Sequence, residues 1–289
     1  MNTFIILAIL SPFFFALMNV YDKYFIEKRM KNMYSYWFIV GCITVVYSII
    51  LAFFLDWRTI TLKDYILPAI IGIMWCIQTY LYIRILQKED AAPTTGLFYL
   101  YPLIVVGLSY IFLHEVISWY GYIGIGLSVL GAIFISLRLK KISFHSKAWY
   151  IIAMIILIGL GEFIMKVAVN NINAWNAFAI TIFVEGLLTC LFIFRKDTRK
   201  YLSAESGNIH WLLIGEAVTF AAISSMYLAM SGLPASIVAG IATVQVLFVV
   251  FLERICDKFI GKISRDHYLL PKLIPIILIF LGLVLLTVG

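Results

Sequence analysis

Apolar and polar positions alternate along this chain in long blocks. Uncharged stretches of about 20 residues, the helical length that crosses a bilayer core of about 30 Å, recur from one end to the other and are separated by short basic segments. The blocks predict ten membrane-spanning helices, near 2–21, 34–55, 65–86, 93–113, 119–137, 148–169, 174–194, 211–230, 235–252 and 268–288. Continuous apolarity, without the residue-by-residue alternation of a barrel strand, makes these runs helices. The pattern also repeats: Asn19 with Lys23 recurs about 143 residues later as Glu162 with Lys166. The fold expected is therefore an all-α integral membrane protein whose ten transmembrane helices form two inverted five-helix repeats, residues 1–142 and 143–289, in one membrane domain. An odd number of spans per half makes the second half enter the membrane upside down, the construction of many secondary carriers.

Composition agrees with a lipid-embedded chain. With 63% hydrophobic residues, 13% charged residues and a mean hydropathy of +1.02, the chain has too little polar surface for a soluble protein. The net charge of +7 does not indicate nucleic acid, because Lys and Arg are parcelled into short loops beside helix ends, where lipid head groups are the expected partners. Odd-numbered loops carry eighteen of these residues. Even-numbered loops carry only Arg58 and Lys63, and Lys166 and Lys272 fall inside spans. The positive-inside rule makes the odd loops cytoplasmic and both termini external. Cys42, Cys76, Cys190 and Cys256 are expected to act singly as small core residues, with no metal spacing and no cofactor motif. The N-terminal stretch lacks a basic n-region, so a retained first helix is expected, with the mature chain starting near Met1.

Two stretches, AAPTTGLFYLYPLIVVGLSYIFLHE from Ala91 to Glu115 and LPASIVAGIATVQVLFVVFLE from Leu233 to Glu253, resemble the drug/metabolite transporter superfamily in its ten-helix EamA-like branch. The resemblance extends over essentially the whole chain. It implies a solute carrier working by alternating access, with a cavity lined mainly by spans 1, 3, 4, 6, 8 and 9. The chain departs from the family pattern at Gln245, where the second repeat would carry a proline, and in its charge bias, since the family implies internal termini.

Independently of family, chemistry is expected where polar groups sit in hydrocarbon, at a cost of about 2.5–3.5 kcal/mol for a central charge. Glu162, Glu185 and Glu216 lie inside spans 6, 7 and 8. Each is either a proton or cation site or a neutral group hydrogen-bonded to a neighbouring helix. Lys166 follows Glu162 by one turn, an arrangement suited to an ion pair, or else it snorkels to the head groups as Lys272 does. Lys23, beside Asp22 at the expected end of span 1, belongs in water. Trp75, Gln78 and Tyr82 share one face of span 3, and Thr95, Tyr99 and Pro102 one face of span 4. Such a wall either binds an organic cation through ring faces or simply packs. Asn19 and Gln245 are further amide candidates. Pro12 and Pro102, near the middles of spans 1 and 4, are expected kinks and candidate hinges. Gly124 and Ser128 belong to a small-residue run suited to close helix approach.

No HExxH motif or evident catalytic constellation accompanies His114, His145, His210 and His267, which argues against a membrane-embedded enzyme. The reading is a secondary transporter of a small organic cation or zwitterion, such as an amine or amino acid, with possible proton coupling, in a prokaryotic plasma membrane. The alternatives on the same fold are a translocator of lipid or of a nucleotide-sugar or other phosphorylated metabolite. No cofactor or metal is expected; the partners are the solute and membrane lipids.

Overall fold

The computed structural model describes residues 2–86, 98–139, 144–259 and 273–288, and its regular elements among them are all helical. In chain order these are α1 (Asn2–Lys28), α2 (Met33–Ala52), α3 (Ile66–Leu86), α4 (Tyr101–Phe112), α5 (Trp119–Leu139), α6 (Phe144–Asn171), α7 (Ala174–Cys190), α8 (Lys196–Ser206), α9 (Ile209–Gly232), α10 (Ala235–Ala242), α11 (Gln245–Phe259) and α12 (Leu273–Val288). Helix starts follow local chemistry. Asn32 caps α2, its Oδ1 accepting the amides of Tyr34 at 2.9 Å and Ser35 at 3.2 Å, and Asn173 caps α7 through the Trp175 amide. Such caps satisfy donors that a helix start leaves open.

Seven helical stretches, 3–28, 33–52, 62–85, 149–171, 174–194, 209–232 and 235–256, are long and apolar enough to cross a membrane. The other three expected spans hold shorter apolar helices over 101–112, 119–134 and 274–287. Residues 93–97 and 268–272 of those spans, with Thr95 and Lys272 among them, lie outside the described residues, as do Lys88 and His267, and the His145 side chain.

Five details correct the sequence expectations. The first helix does not stop near residue 21 but runs to Lys28, which takes Lys23 out of water: it is 1% exposed and its Nζ meets Glu27 Oε1 at 3.0 Å. One turn separates the two residues, so the pair compensates both charges on a single helix face. Next, the basic seventh loop contains α8. Its Thr198 and Glu205 face inward beside Leu202 at helical spacing, with Ser35 Oγ donating to the Thr198 carbonyl and the Lys31 amide to Glu205 Oε2. Pro102, expected to kink the middle of a span, instead occupies the first turn of α4, where its missing N–H removes no helical bond. The ninth span is likewise interrupted, at Thr243 and Val244 between α10 and α11. Finally, Cys42 and Cys190 are not isolated: their sulfurs stand 3.6 Å apart, both as free thiols, across the α2–α7 contact.

Helix packing relies on absent side chains at two crossings. Gly41 of α2 and Gly186 of α7 face each other so closely that a Cβ on either would come within 3.0 Å of the other's carbonyl oxygen. Between α5 and α12, a Cβ on Gly282 would fall 2.5 Å from the Gly124 carbonyl oxygen and 2.1 Å from Ser128 Oγ. The small-residue run of α5 thus serves packing within the chain, through close backbone approach. Gly282→Ala should therefore push α12 outward and lower stability by about 1–3 kcal/mol, the usual cost of overpacking, measurable as a reduced melting temperature of the purified protein.

The remaining main contacts join α1 to α9, α10 and α11, α2 to α8 and α9, α3 to α6 and α7, α4 to α6 and α10, and α9 to α6 and α7.

Candidate functional site

A cavity of about 300 Å³ opens among these helices, at the low end of the small-ligand range. Its walls come from α1, α2, α3, α6, α7, α9, α10, the turn from Phe98 to Tyr101 that precedes and opens α4, and the first residue of α11. The family resemblance assigned the lining mainly to spans 1, 3, 4, 6, 8 and 9. In addition, α2 contributes Tyr36, Trp37 and Thr44, and α7 contributes Phe178 and Glu185, because their tight glycine crossing holds both helices against the centre.

The structure brings most of the sequence candidates to this one cavity. Pro12, Asn19, Trp75, Gln78, Tyr82, Tyr99, Glu162, Glu185, Glu216 and Gln245 all line it. Trp75, Gln78 and Tyr82 do so together, as their spacing on one helix face requires. Tyr82 donates to Asn19 Oδ1 at 2.8 Å, Gln78 Nε2 to the Leu157 carbonyl at 3.1 Å, and Trp75 packs edge-on against Tyr227. The Tyr99 hydroxyl donates to Gln245 Oε1. That bond joins the residues at the two helix interruptions, just before α4 and at the start of α11. Broken helices that meet at a cavity expose backbone groups where a solute can use them.

Four carboxyl groups face the space. Glu216 is 3.1 Å from Thr44 Oγ1, Glu185 is 3.2 Å from Thr79 Oγ1, and Asp22 accepts from the Tyr36 hydroxyl at 3.3 Å. Glu162 is hydrogen-bonded by the Tyr101 hydroxyl. Its Oε2, although buried, has no hydrogen-bond partner among the described residues. A buried acceptor left open costs about 1–3 kcal/mol, and a bound donor removes that cost. Among the described residues lining the cavity none is Lys, Arg or His. Ionised carboxylates in such a place need protons or cationic company.

Asp22 was missed because the first span was ended at residue 21. Continuing that helix places Asp22 three residues after Asn19, on the same face. Tyr36, Thr44, Thr79 and Tyr101 carry no distinguishing sequence signal in so aromatic a chain.

Lys166 does not pair with Glu162, nor does it line the cavity. Its ammonium donates to the Met230 and Leu233 carbonyls, both at 2.8 Å, at the end of α9, and lies 3.7 Å from Glu115 Oε1. Open carbonyls at a helix C-terminus attract a cation, and here they win over the carboxylate one turn away. Glu115 Oε2 in turn accepts the Ala235 amide at the start of α10, at 2.9 Å. Burial pushes the Glu115 carboxyl up from its usual value, while Lys166 and the Ala235 and Ser236 amides pull it down. Lys166 and Glu115 thus clasp the α4–α5 connection to the α9–α10 junction.

Residues 2–137 match the EamA-like transporter family. By that match this first part of the chain falls in the drug/metabolite transporter superfamily. The match implies a membrane transporter of small solutes, in agreement with the seven helical stretches that are long and apolar enough to cross a membrane. No curated protein matches the chain in sequence. A crystal structure, described only as that of a protein, shares the fold: it is 13% identical, has a TM-score of 0.69 and is matched over 98% of both chains. Intramembrane carboxyls are costly wherever they have no use.

Proposed function

We propose that this EamA-like chain is a secondary carrier of a small organic cation or zwitterion, built as two inverted five-helix halves and working by alternating access with proton exchange on the cavity carboxyls. The observation that carries the solute class is the lining: Asp22, Glu162, Glu185 and Glu216, with no basic side chain among the described lining residues. A phosphorylated or nucleotide-linked solute requires cations converging on the site. Lys166 and Lys23, the buried lysines among the described residues, engage Glu115 and Glu27 instead. Aromatic rings such as Trp75 and Tyr82 add cation–π surface.

The inverted-repeat reading draws support from the packing. If α9 counts as span 8, α10 with α11 as span 9 and α12 as span 10, exchanging each first-half span with its counterpart five spans later maps most of the main contacts onto one another, those of α9 with α6 and α7 excepted. The α1–α9 pair becomes α6–α3, α3–α7 becomes α9–α2, and α1–α11 becomes α6–α4, while α2–α7, α5–α12 and α4–α10 map onto themselves. The interruption preceding α4 corresponds to that between α10 and α11. A prokaryotic plasma membrane, with the basic loops facing the cytoplasm, is the setting that best suits the loop charges.

The experiment is thermal stabilisation of the purified protein across amines, amino acids, nucleotide sugars and lipids, with Glu216→Gln in parallel. A ligand at about a hundred times its dissociation constant adds about 2.7 kcal/mol. Amines or amino acids are expected to stabilise the wild type and to act much less on the variant. Stabilisation by anionic nucleotides or lipids alone, equal in both proteins, sinks this reading.

A further inference from the structure

The cavity carboxyls are not evenly spread. Glu162 projects from α6 and is hydrogen-bonded by Tyr101 at the start of α4, and α4 packs against α6 and α10. The other three belong to α1, α7 and α9, and their hydrogen-bond partners Tyr36, Thr44 and Thr79 stand on α2 and α3. Within this trio, Glu216 lies in electrostatic reach of both Glu185 and Asp22. The cavity thus has two acidic poles, one a single carboxyl and one a group of three, with aromatic and aliphatic side chains such as Trp75, Phe178 and Ile158 also on its walls. At the single pole the open Oε2 of Glu162 marks an unused acceptor in a side chain only 7% exposed.

We propose that the cargo is an organic dication, two ammonium centres joined by a short apolar spacer, with one centre on Glu162 and the other on the Asp22–Glu185–Glu216 group. The proposal rests on the cation reading above and sharpens it. A monoamine satisfies one pole and leaves the other to be neutralised by protons. A zwitterionic amino acid brings its own carboxylate into a lining without a basic side chain among the described residues, where it meets only like charge. A diamine answers both poles, and its methylenes meet the aromatic and aliphatic side chains on the cavity walls. Each charge-assisted hydrogen bond is stronger than a neutral one, so the second ammonium adds affinity that a methyl group in its place does not.

The test is binding of α,ω-diamines from propane to hexane, each beside the monoamine of the same carbon count, to the full chain in detergent or lipid nanodiscs. The best diamine is expected to bind about tenfold or more tighter than its monoamine, a contrast of about 1.4 kcal/mol. Glu162→Gln and Glu216→Gln, each first checked for an intact melting transition without ligand, should both bring the diamine down to monoamine affinity. If monoamine and diamine bind equally to the wild type, the dication proposal falls while the cation reading stands. If the diamine preference survives both variants, the two-pole assignment is wrong. If no amine of either kind binds, the dication proposal falls and the cation half of the earlier reading falls with it.

Discussion

Glu162→Gln is expected to leave the protein folded, melting at or above the wild-type temperature, while binding of the cationic solute weakens by about tenfold to a hundredfold. The two effects have one cause. The wild-type carboxyl is buried, and one of its oxygens has no partner among the described residues, an arrangement that lowers stability and holds recognition energy in reserve. The amide still accepts from Tyr101 but brings no charge, so it forgoes the charge-assisted contact worth about 1.5–3 kcal/mol. The measurement is a melting curve with and without solute, accompanied by uptake or efflux in proteoliposomes. A variant that unfolds assigns Glu162 a structural role. One that melts normally and binds like wild type removes Glu162 from the site.

The second large effect belongs to Lys166→Met. Methionine fills most of the lysine's volume, but the Met230 and Leu233 carbonyls lose their donor and Glu115 loses its counter-ion. Breaking a buried pair on one side costs about 3–5 kcal/mol, chiefly through the charge left behind. Adding Glu115→Gln to the same protein should recover part of the loss, since the amide retains an oxygen for the Ala235 amide, and the double-mutant cycle isolates the pair. The loss should also grow with pH. Burial already holds the Glu115 carboxyl above its usual value, and removing the lysine pushes it further. A carboxyl raised in the folded state contributes no penalty below its unfolded value and the full penalty above its folded one. The variant's melting temperature should therefore fall more steeply than wild type's as the pH rises through that window. Parallel slopes and a loss below about 1 kcal/mol would mark the clasp as a surface contact of the ordinary kind.

Much of the site was legible because the chain spends its few deep polar residues sparingly. Glu162, Glu185, Glu216, Gln78 and Gln245 stand out in apolar runs on cost alone, and all five line the cavity. Periodicity then places Trp75, Gln78 and Tyr82 on one face. Where the reading went wrong, it did so at ends and partners. Span 1 was stopped at its first charges, yet Asp22, Lys23 and Glu27 continue the helix because the fold supplies Tyr36 to one and a pairing between the other two. Local spacing offers Lys166 either Glu162 one turn away or the head groups, whereas its acceptors come from α9 and the α4–α5 connection.

By itself the sequence determined that this chain lives in a membrane, where its apolar blocks fall, and which costly groups require a use. Those properties depend on local composition and on the 3.6-residue period. Only the tertiary structure decided that Pro102 opens a helix rather than bending one, that Tyr99 meets Gln245 at two helix interruptions, that Lys166 serves Glu115, and that four carboxyls from α1, α6, α7 and α9 share one cavity with one acceptor left open. These depend on which helices pack side by side. Contacts between residues separated by about 150 positions follow from backbone approach at glycines such as Gly41, Gly186 and Gly282, a three-dimensional constraint with no counterpart in the linear pattern.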